Sequence, residues 1–346
     1  MQADGREIQV RVRAISEPAE DVRLFELVPE TGTATPYPAG SNLTVTLEAE
    51  GRTIQRCYSL IGEAPADGAW RIAVKRMNPS RGGSAAMWAL APGATLAVTE
   101  PQSHFELAVG RPDYLLIAGG IGITPILGMA ERLERLGHCP RLVYAARTRR
   151  QMAFLDRLRM LLGDRLTLIV DDEGGRLDFA AEIAGLDSAG EAYMCGPAGM
   201  MDAMRAAWTA AGRAPTSLRF ETFGSSGSHP VVPFTVEVQD HGQTVEVPAD
   251  RSLLDALGDA GIELAYDCLR GECGLCTVEV TDGAAALDHR DVFLSAEQKQ
   301  AGQKLCACVS RAAGRITIDT GYRPALSRAG QQSYRQTITE MNNQAG

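Results

Sequence analysis

Histidine is scarce in this chain: 346 residues carry 5 of them, and none forms a Cys-x-His pair. Without such pairs the chain holds no Rieske centre, and scattered histidines do not supply the ligands of a non-haem iron. Any oxygen chemistry connected with this protein must therefore take place on another polypeptide. Basic charge is also short, with 34 Lys and Arg against 43 Asp and Glu and a net charge of -9. A nucleic-acid partner needs a concentrated basic face, so that class is excluded, and protein partners with basic docking faces suit better. No apolar run approaches the roughly 18 residues that span a bilayer, and no charged segment followed by an apolar core opens the chain. A cytoplasmic protein is expected. The 8 cysteines are too unevenly placed for a disulfide framework, which fits a reducing compartment. With 45% apolar residues the chain can bury two or three separate cores.

Four of those cysteines carry the strongest signal. Cys268, Cys273 and Cys276 follow Cys-x4-Cys-x2-Cys, and Cys308 stands alone after a long gap, which is the plant-type two-iron two-sulfur spacing. Gly271 and Gly274 sit beside the thiols, where backbone amides must turn tightly and point at sulfur to spread a cluster's negative charge. A structural zinc site is the competing reading, but zinc usually pairs two short hooks, whereas three ligands share one loop here. Electron transfer is the expected role.

The pattern of the chain changes twice. Through the first hundred residues, short alternating stretches (8–14, 22–28, 42–48, 71–74 and 95–98) separated by Pro and Gly turns predict a small antiparallel barrel over residues 1–108. From Tyr114 buried strands at 114–118, 141–145, 166–170 and 192–194 alternate with helical stretches, which predicts a doubly wound parallel sheet over 109–224. A Gly/Ser-rich linker is expected at 225–232. A compact unit at 233–321 opens with a hairpin and a helix capped by Ser252, the β-grasp order of a plant-type ferredoxin. The polar tail 322–346 lacks an apolar face. The fold class expected is thus a multidomain α+β and α/β chain.

Three further stretches read as ligand sites. Gly119-Gly-Ile-Gly-Ile-Thr-Pro125 joins a strand to a helix expected to start near Pro125, where bare amides and the helix dipole favour an anion. A tight turn without a ligand is the alternative. Cys195-Gly196-Pro197 ends a strand, where open α/β sheets bind ligands, although a buried structural cysteine would look the same. Arg56-Cys57-Tyr58-Ser59 brings a cation, an aromatic plane and a hydroxyl together, which suits a phosphorylated flat cofactor. Arg81-Gly82-Gly83-Ser84 adds a capping hydroxyl ahead of a helix expected at 85–90.

Taken in order, these motifs, together with Ala73-Val-Lys-Arg76, Phe220-Glu-Thr-Phe223, Asp288-His-Arg-Asp291 and Cys308-Val-Ser-Arg-Ala312, closely resemble the phthalate dioxygenase reductase family over about residues 7–319. The resemblance implies an FMN-binding barrel, a nicotinamide domain and a C-terminal ferredoxin domain. It implies that Arg56, Cys57, Tyr58, Ser59, Val74, Lys75, Arg81, Gly82, Gly83 and Ser84 hold FMN, with Thr124 approaching the ring and Phe223 against it. Gly120, Gly122 and Cys195-Gly196-Pro197 would hold NADH. Ser59, Cys195 and Glu221 become the candidate catalytic residues, with Glu221 either near the flavin or solvated. The chain departs from the family in a longer hairpin after Cys276, in Cys57 and in its tail. The hairpin raises a choice for the fourth iron ligand: counting back from Val309-Ser-Arg311 selects Cys308, while the commonest ferredoxin gap selects Cys306.

A nicotinamide delivers two electrons together and a two-iron cluster accepts one, so the domain order reads as a wire from NADH through FMN to the cluster and out to a partner. The family implies a Rieske-type terminal oxygenase as that partner, with a haem-thiolate monooxygenase as second choice. A non-catalytic redox sensor is the rival class, though it would not need both a flavin and a nicotinamide site. A flavin reductase with a vestigial cluster domain is a third reading. Arg147, Arg149 and Arg150 could grip the extra phosphate of NADPH, or could be surface arginines opening a helix.

Overall fold

The computed structural model describes residues 7–49, 51–62, 67–78, 80, 82–223 and 231–321. Arg81, most of the expected linker and the tail lie outside the described residues. Alternating burial along β1 (Glu7–Ala19), β2 (Val22–Pro29), β3 (Ser41–Ala49), β4 (Arg52–Ser59), β5 (Trp70–Lys75) and β6 (Thr95–Thr99) gives the first unit an inner and an outer face. The strand order is β4-β3-β6-β1-β2-β5, with β7 (Gln102–Ser103) beside β3, and an antiparallel bridge from Leu60 to Ile72 joins the two edges into a barrel. Phe25, Leu27, Leu43, Trp70 and Ile72 fill its interior. Between β5 and β6 lies the short helix α1 (Gly83–Ala89).

The second unit is a five-stranded parallel sheet. Its strands are β8 (Tyr114–Gly119), β9 (Arg141–Ala146), β10 (Leu166–Val170), β11 (Glu191–Cys195) and β12 (Leu218–Glu221), in the order β10-β9-β8-β11-β12. The order reverses direction between β8 and β11, and that switch point is where a crevice opens above the carboxyl ends of the strands. Helices α2 (Ile123–Arg135), α3 (Leu155–Leu162), α4 (Phe179–Ala184) and α5 (Ala198–Ala210) make the crossovers. A 3-10 turn at Gly120–Gly122 precedes α2, so the helix begins two residues before the expected Pro125. The barrel packs on α2: Val22, Ala39, Ile61 and Phe105 share one core with Ile126, Leu127 and Met129. A side chain on Gly128 would come within 2.6 Å of the Gly62 carbonyl, so glycine is what permits that approach.

In the third unit β13 (Phe234–Val238) and β14 (Gln243–Val247) form the expected hairpin. Helix α6 (Leu253–Asp259) follows, and Ser252 and Asp255 cap it reciprocally. The sheet order is β14-β13-β19-β15-β17, where β15 is Thr277–Asp282, β17 Lys304–Cys306 and β19 Gly314–Asp319. Central β19 runs parallel to β13 and antiparallel to β15, which is the β-grasp arrangement. Beside it lie the two-residue strands β16 (Leu287–Asp288) and β18 (Arg311–Ala312) and the helix α7 (Ala296–Ala301). Among the described residues no helix is long and apolar enough to cross a membrane.

Arg311 pins this unit to the segment that leads into it. It is 2% exposed, its guanidinium lies 5.1 Å from the centre of the Phe234 ring, and it donates to the carbonyls of Val232 at 3.1 Å, Pro248 at 2.8 Å and Arg251. Replacing Arg311 with Met keeps the bulk and takes the donor away from three backbone carbonyls, and each charge-assisted bond is worth about 1.5–3 kcal/mol. The expected outcome is a lower thermal midpoint for the cluster domain by calorimetry, with the flavin and nucleotide units melting as before.

Candidate functional site

The barrel and the sheet meet at a cavity of about 290 Å³. From the end of β4 come Arg56, Cys57, Tyr58 and Ser59, from β5 Val74 and Lys75, and from α1 Gly83 and Ser84. Thr124 of α2, Phe223 after β12, and Ala249, Asp250 and Arg290 of the third unit complete the lining. Ten residues singled out from the sequence thus surround one space. Its walls are apolar around Ala73, Val74, Ile121 and Phe223, and its cations are Arg56, beside Gly83 at the start of α1, Lys75 and Arg290. That chemistry fits a flat ring with a phosphate at one end. A side chain on Gly83 would come within 2.6 Å of Arg56 Cγ, so the arginine stem lies across bare backbone there.

Two details differ from the sequence reading. Gly82, with φ of 83°, is the residue before α1, and Ser84 sits inside the helix without capping it. Its Oγ instead accepts from Met77 N at 3.2 Å and shares a hydrogen bond with Ser80 Oγ at 2.9 Å, which ties α1 to the end of β5. Glu221 is fully buried, so the solvated alternative falls. The cause is its position at the end of β12, next to Cys195 in the sheet register and covered by the cluster loop.

At the switch point, Cys195 pairs with Ala118 on one side and Glu221 on the other. A side chain on Gly122 would collide with the Cys195 carbonyl at 2.1 Å, and one on Gly119 with Pro197 Cδ at 2.6 Å. The two glycine-bearing turns are thus pressed together. Gly120, Gly122, Gly196 and Pro197 adjoin the cavity without lining it. Cys195 is buried, and burial pushes its thiol well above the usual range.

The buried carboxylate sits in a chain of charged contacts. Ser59 Oγ donates to Glu221 Oε2 at 3.0 Å, and Arg270 of the cluster loop donates to Oε1. Burial raises the Glu221 carboxyl, opposed by Arg270 and by the Ser59 hydroxyl. Glu272 of the same loop accepts from the Thr222 backbone N–H at 2.7 Å, and burial pushes its carboxyl up to about 8. Cys57 donates to Asn42 Oδ1 at 2.9 Å, and burial raises its thiol to about 12. Sequence reasoning missed Asn42, Arg270 and Glu272 as site residues. Nothing distinguishes a buried arginine in a glycine-rich loop from a solvated one until the loop's neighbour is known.

The cluster loop has the geometry the spacing predicts. The backbone N–H groups of Arg270, Glu272 and Cys273 each lie 3.4 Å from Cys268 Sγ. Leu269, Gly271 and Gly274 take positive φ values of 54°, 75° and 76° to aim them. The thiols fall into two sets. A hydrogen bond with Cys268 lowers Cys273 to about 6, and hydrogen bonds with Cys306 and Cys308 lower Cys276 to about 3. Among the described residues no three His, Cys, Asp or Glu side chains converge on one metal ion. Thiols divided between two irons fit this arrangement, while a zinc site needs four ligands around one point.

Cys306 and Cys308 both reach Cys276 but face differently. Cys308 borders a second cavity, whereas Cys306 does not and lies 3.6 Å from Thr277 Oγ1. That cavity, of about 580 Å³, runs between β4 and α6 and is bordered by Cys308, Arg270, Arg56, Cys57 and Phe223. Flavin-site residues and a cluster cysteine therefore share one wall.

Comparison with known proteins gives three family profiles in the same order. An oxidoreductase FAD-binding domain matches residues 9–107, an oxidoreductase NAD-binding domain 116–206, and a 2Fe-2S iron-sulfur cluster binding domain 236–313. The chain is 37% identical to the phenoxybenzoate dioxygenase subunit beta of Ectopseudomonas oleovorans, over 90% of this chain and 97% of that one. A solved structure of phthalate dioxygenase reductase aligns with a TM-score of 0.73 at 32% identity, over 90% of this chain and 98% of that one. An intact type IV self-sufficient cytochrome P450 monooxygenase aligns with a TM-score of 0.63 at 35% identity, and this chain spans 41% of its length.

The cysteine geometry yields a paired test. Cys308→Ser is expected to abolish the visible absorbance and low-temperature paramagnetic signal of a reduced two-iron cluster, and Cys306→Ser to leave both nearly intact. The opposite result would move the fourth ligand to Cys306.

Proposed function

Because the chain belongs to the phthalate dioxygenase reductase family of flavin, nicotinamide and two-iron reductases, we propose that it supplies electrons from NADH to a Rieske non-haem iron oxygenase. It is an NAD(H)-dependent oxidoreductase with FMN and a 2Fe-2S cluster as cofactors and is the reductase component of an oxygenase system. The observation that carries the reading is the convergence of the flavin cavity, the switch-point crevice and the cluster loop on Ser59, Glu221 and Arg270.

When bound, FMN supplies the conversion from a two-electron donor to one-electron steps, and the cluster supplies the exit. Arg56, Gly83 and Ser84 would hold the phosphate end, and Tyr58, Thr124 and Phe223 would confine the ring. Cys195-Gly196-Pro197 and the turn at Gly120–Gly122 form the floor on which the nicotinamide rests. A hydride donor that feeds one-electron steps leaves one proton to be released. Ser59 would offer that proton a hydroxyl and Glu221 an acceptor behind it, a route supported by their 3.0 Å hydrogen bond and by the burial that raises the Glu221 carboxyl.

Preference for NADH draws support from Arg149, whose Nε donates to Glu173 at 2.9 Å with a second ion-pair contact beside it. An arginine already neutralised by a carboxylate is a poor grip for an extra phosphate. Haem-thiolate acceptors form the second reading, favoured by the alignment with the P450 chain. The unit boundaries proposed are 1–108, 109–224, 225–232, 233–321 and 322–346, and the proposed compartment is the cytoplasm.

Anaerobic titration with NADH is expected to bleach the flavin and then raise a rhombic two-iron signal, with NADPH at least about tenfold less effective. A flavin that bleaches without any cluster signal would defeat the wire. Glu221→Gln is expected to leave the first NADH-driven bleaching intact while slowing steady turnover by about a hundredfold, the usual weight of a positioned proton acceptor. Reduction of purified Rieske and haem-thiolate oxygenases by the reduced protein separates the two acceptor classes.

A further inference from the structure

Arg270 stands inside the cluster loop, yet its side chain leaves that loop. The loop's amides already face Cys268 Sγ, so the thiol site does not call for an arginine at this position. Instead the guanidinium, 3% exposed, pairs with the fully buried Glu221 at the end of β12. Glu272 crosses the same gap in parallel and accepts from the Thr222 N–H at 2.7 Å. The loop thus grips two consecutive residues of the nucleotide domain's edge strand. Glu221 in turn holds Ser59 of the barrel, so one chain of contacts joins all three units.

Further polar ties lie at this junction. Arg205 donates to the Val292 carbonyl at 2.7 Å, farther from the flavin cavity, and the half-exposed Arg52 lies 3.7 Å from Asp250 and 4.0 Å from Asp259. Exposed pairs at such separations fix little. Cys57, which lines the flavin cavity, also lines the second cavity together with Arg270 and Cys308, so the two redox sites adjoin beside the buried pair.

We propose that Arg270 is a positioning residue for the flavin-to-cluster electron step. Its pair with Glu221 holds the cluster loop against the rim of the flavin cavity and sets the gap the electron crosses. The hydride that NADH supplies carries two electrons, and each would cross this gap singly to the cluster and leave it for the acceptor before the next one follows. The inference rests on the family's cofactors and is independent of which oxygenase receives the electrons.

The test mixes NADH anaerobically with holoprotein carrying Arg270→Gln or Arg270→Lys and follows flavin bleaching and cluster reduction as separate phases. Small-angle scattering of the same samples, and of the cofactor-free proteins, gives their radii. Bleaching is expected within about twofold of the unaltered protein, and cluster reduction at least about tenfold slower, since misplacement of reacting groups is heavily penalised. Arg270→Lys should fall between, and the glutamine variant should scatter as a larger particle with or without cofactors. An unchanged cluster phase, or equal slowing of both phases, would overturn the proposal. If the single variant fails to fold with Glu221 and Glu272 both left without their guanidinium, Glu221→Gln/Arg270→Gln/Glu272→Gln removes both lone charges. Its cluster phase should stay slow, and recovery of the normal rate would show that only charge balance was at stake. Failure of NADH to bleach even the unaltered protein would strike the proposed function and not this inference.

Discussion

A carboxylate and a guanidinium removed from water together constrain everything around them. Burying Glu221 and Arg270 costs several kcal/mol of lost hydration for each ion, recovered only if the partner stays in place. Breaking such a pair from one side typically costs about 3–5 kcal/mol, so separating the cluster loop from the nucleotide domain is strongly opposed. Because Glu221 also holds Ser59, the same contact that joins the domains defines one wall of the flavin cavity. The protein places its charge where three folds meet.

That meeting point is dictated by topology. In the parallel sheet the crevice opens where the strand order turns back, between β8 and β11, and β12 lies one strand farther out. The barrel presents the end of β4 to that crevice, and the β-grasp unit presents its ligand loop. Glycine at 119, 122 and 128 lets the turns and α2 approach more closely than any side chain would permit.

Much of this was legible in the sequence because the signals were local. Alternation marked the barrel strands, buried runs marked the parallel sheet, and the Ser252 cap marked α6. The cysteine spacing predicted a loop whose amides face Cys268. The motif Arg56-Cys-Tyr-Ser59 pointed to the cavity because consecutive residues at a strand end necessarily share a neighbourhood. Contacts between units were not legible. Glu221 could be read as solvated because the residue that buries it lies 49 positions away, and Ser84 was assigned a cap because its tie to Met77 depends on how α1 leans against β5. Arg270 carried no marking at all.

The β-grasp sheet also imposes an order on synthesis. Its centre is β19, the last of its strands in the chain, and β13 and β15 meet only through it. While a ribosome is still making this unit, the barrel and the parallel sheet before it already have every strand they need and can fold first. A nascent chain therefore passes through an interval in which the machinery for taking up reducing equivalents is complete and the outlet is not. All the cysteines of this unit are available only after Cys308 emerges, so cluster loading is a late step of maturation.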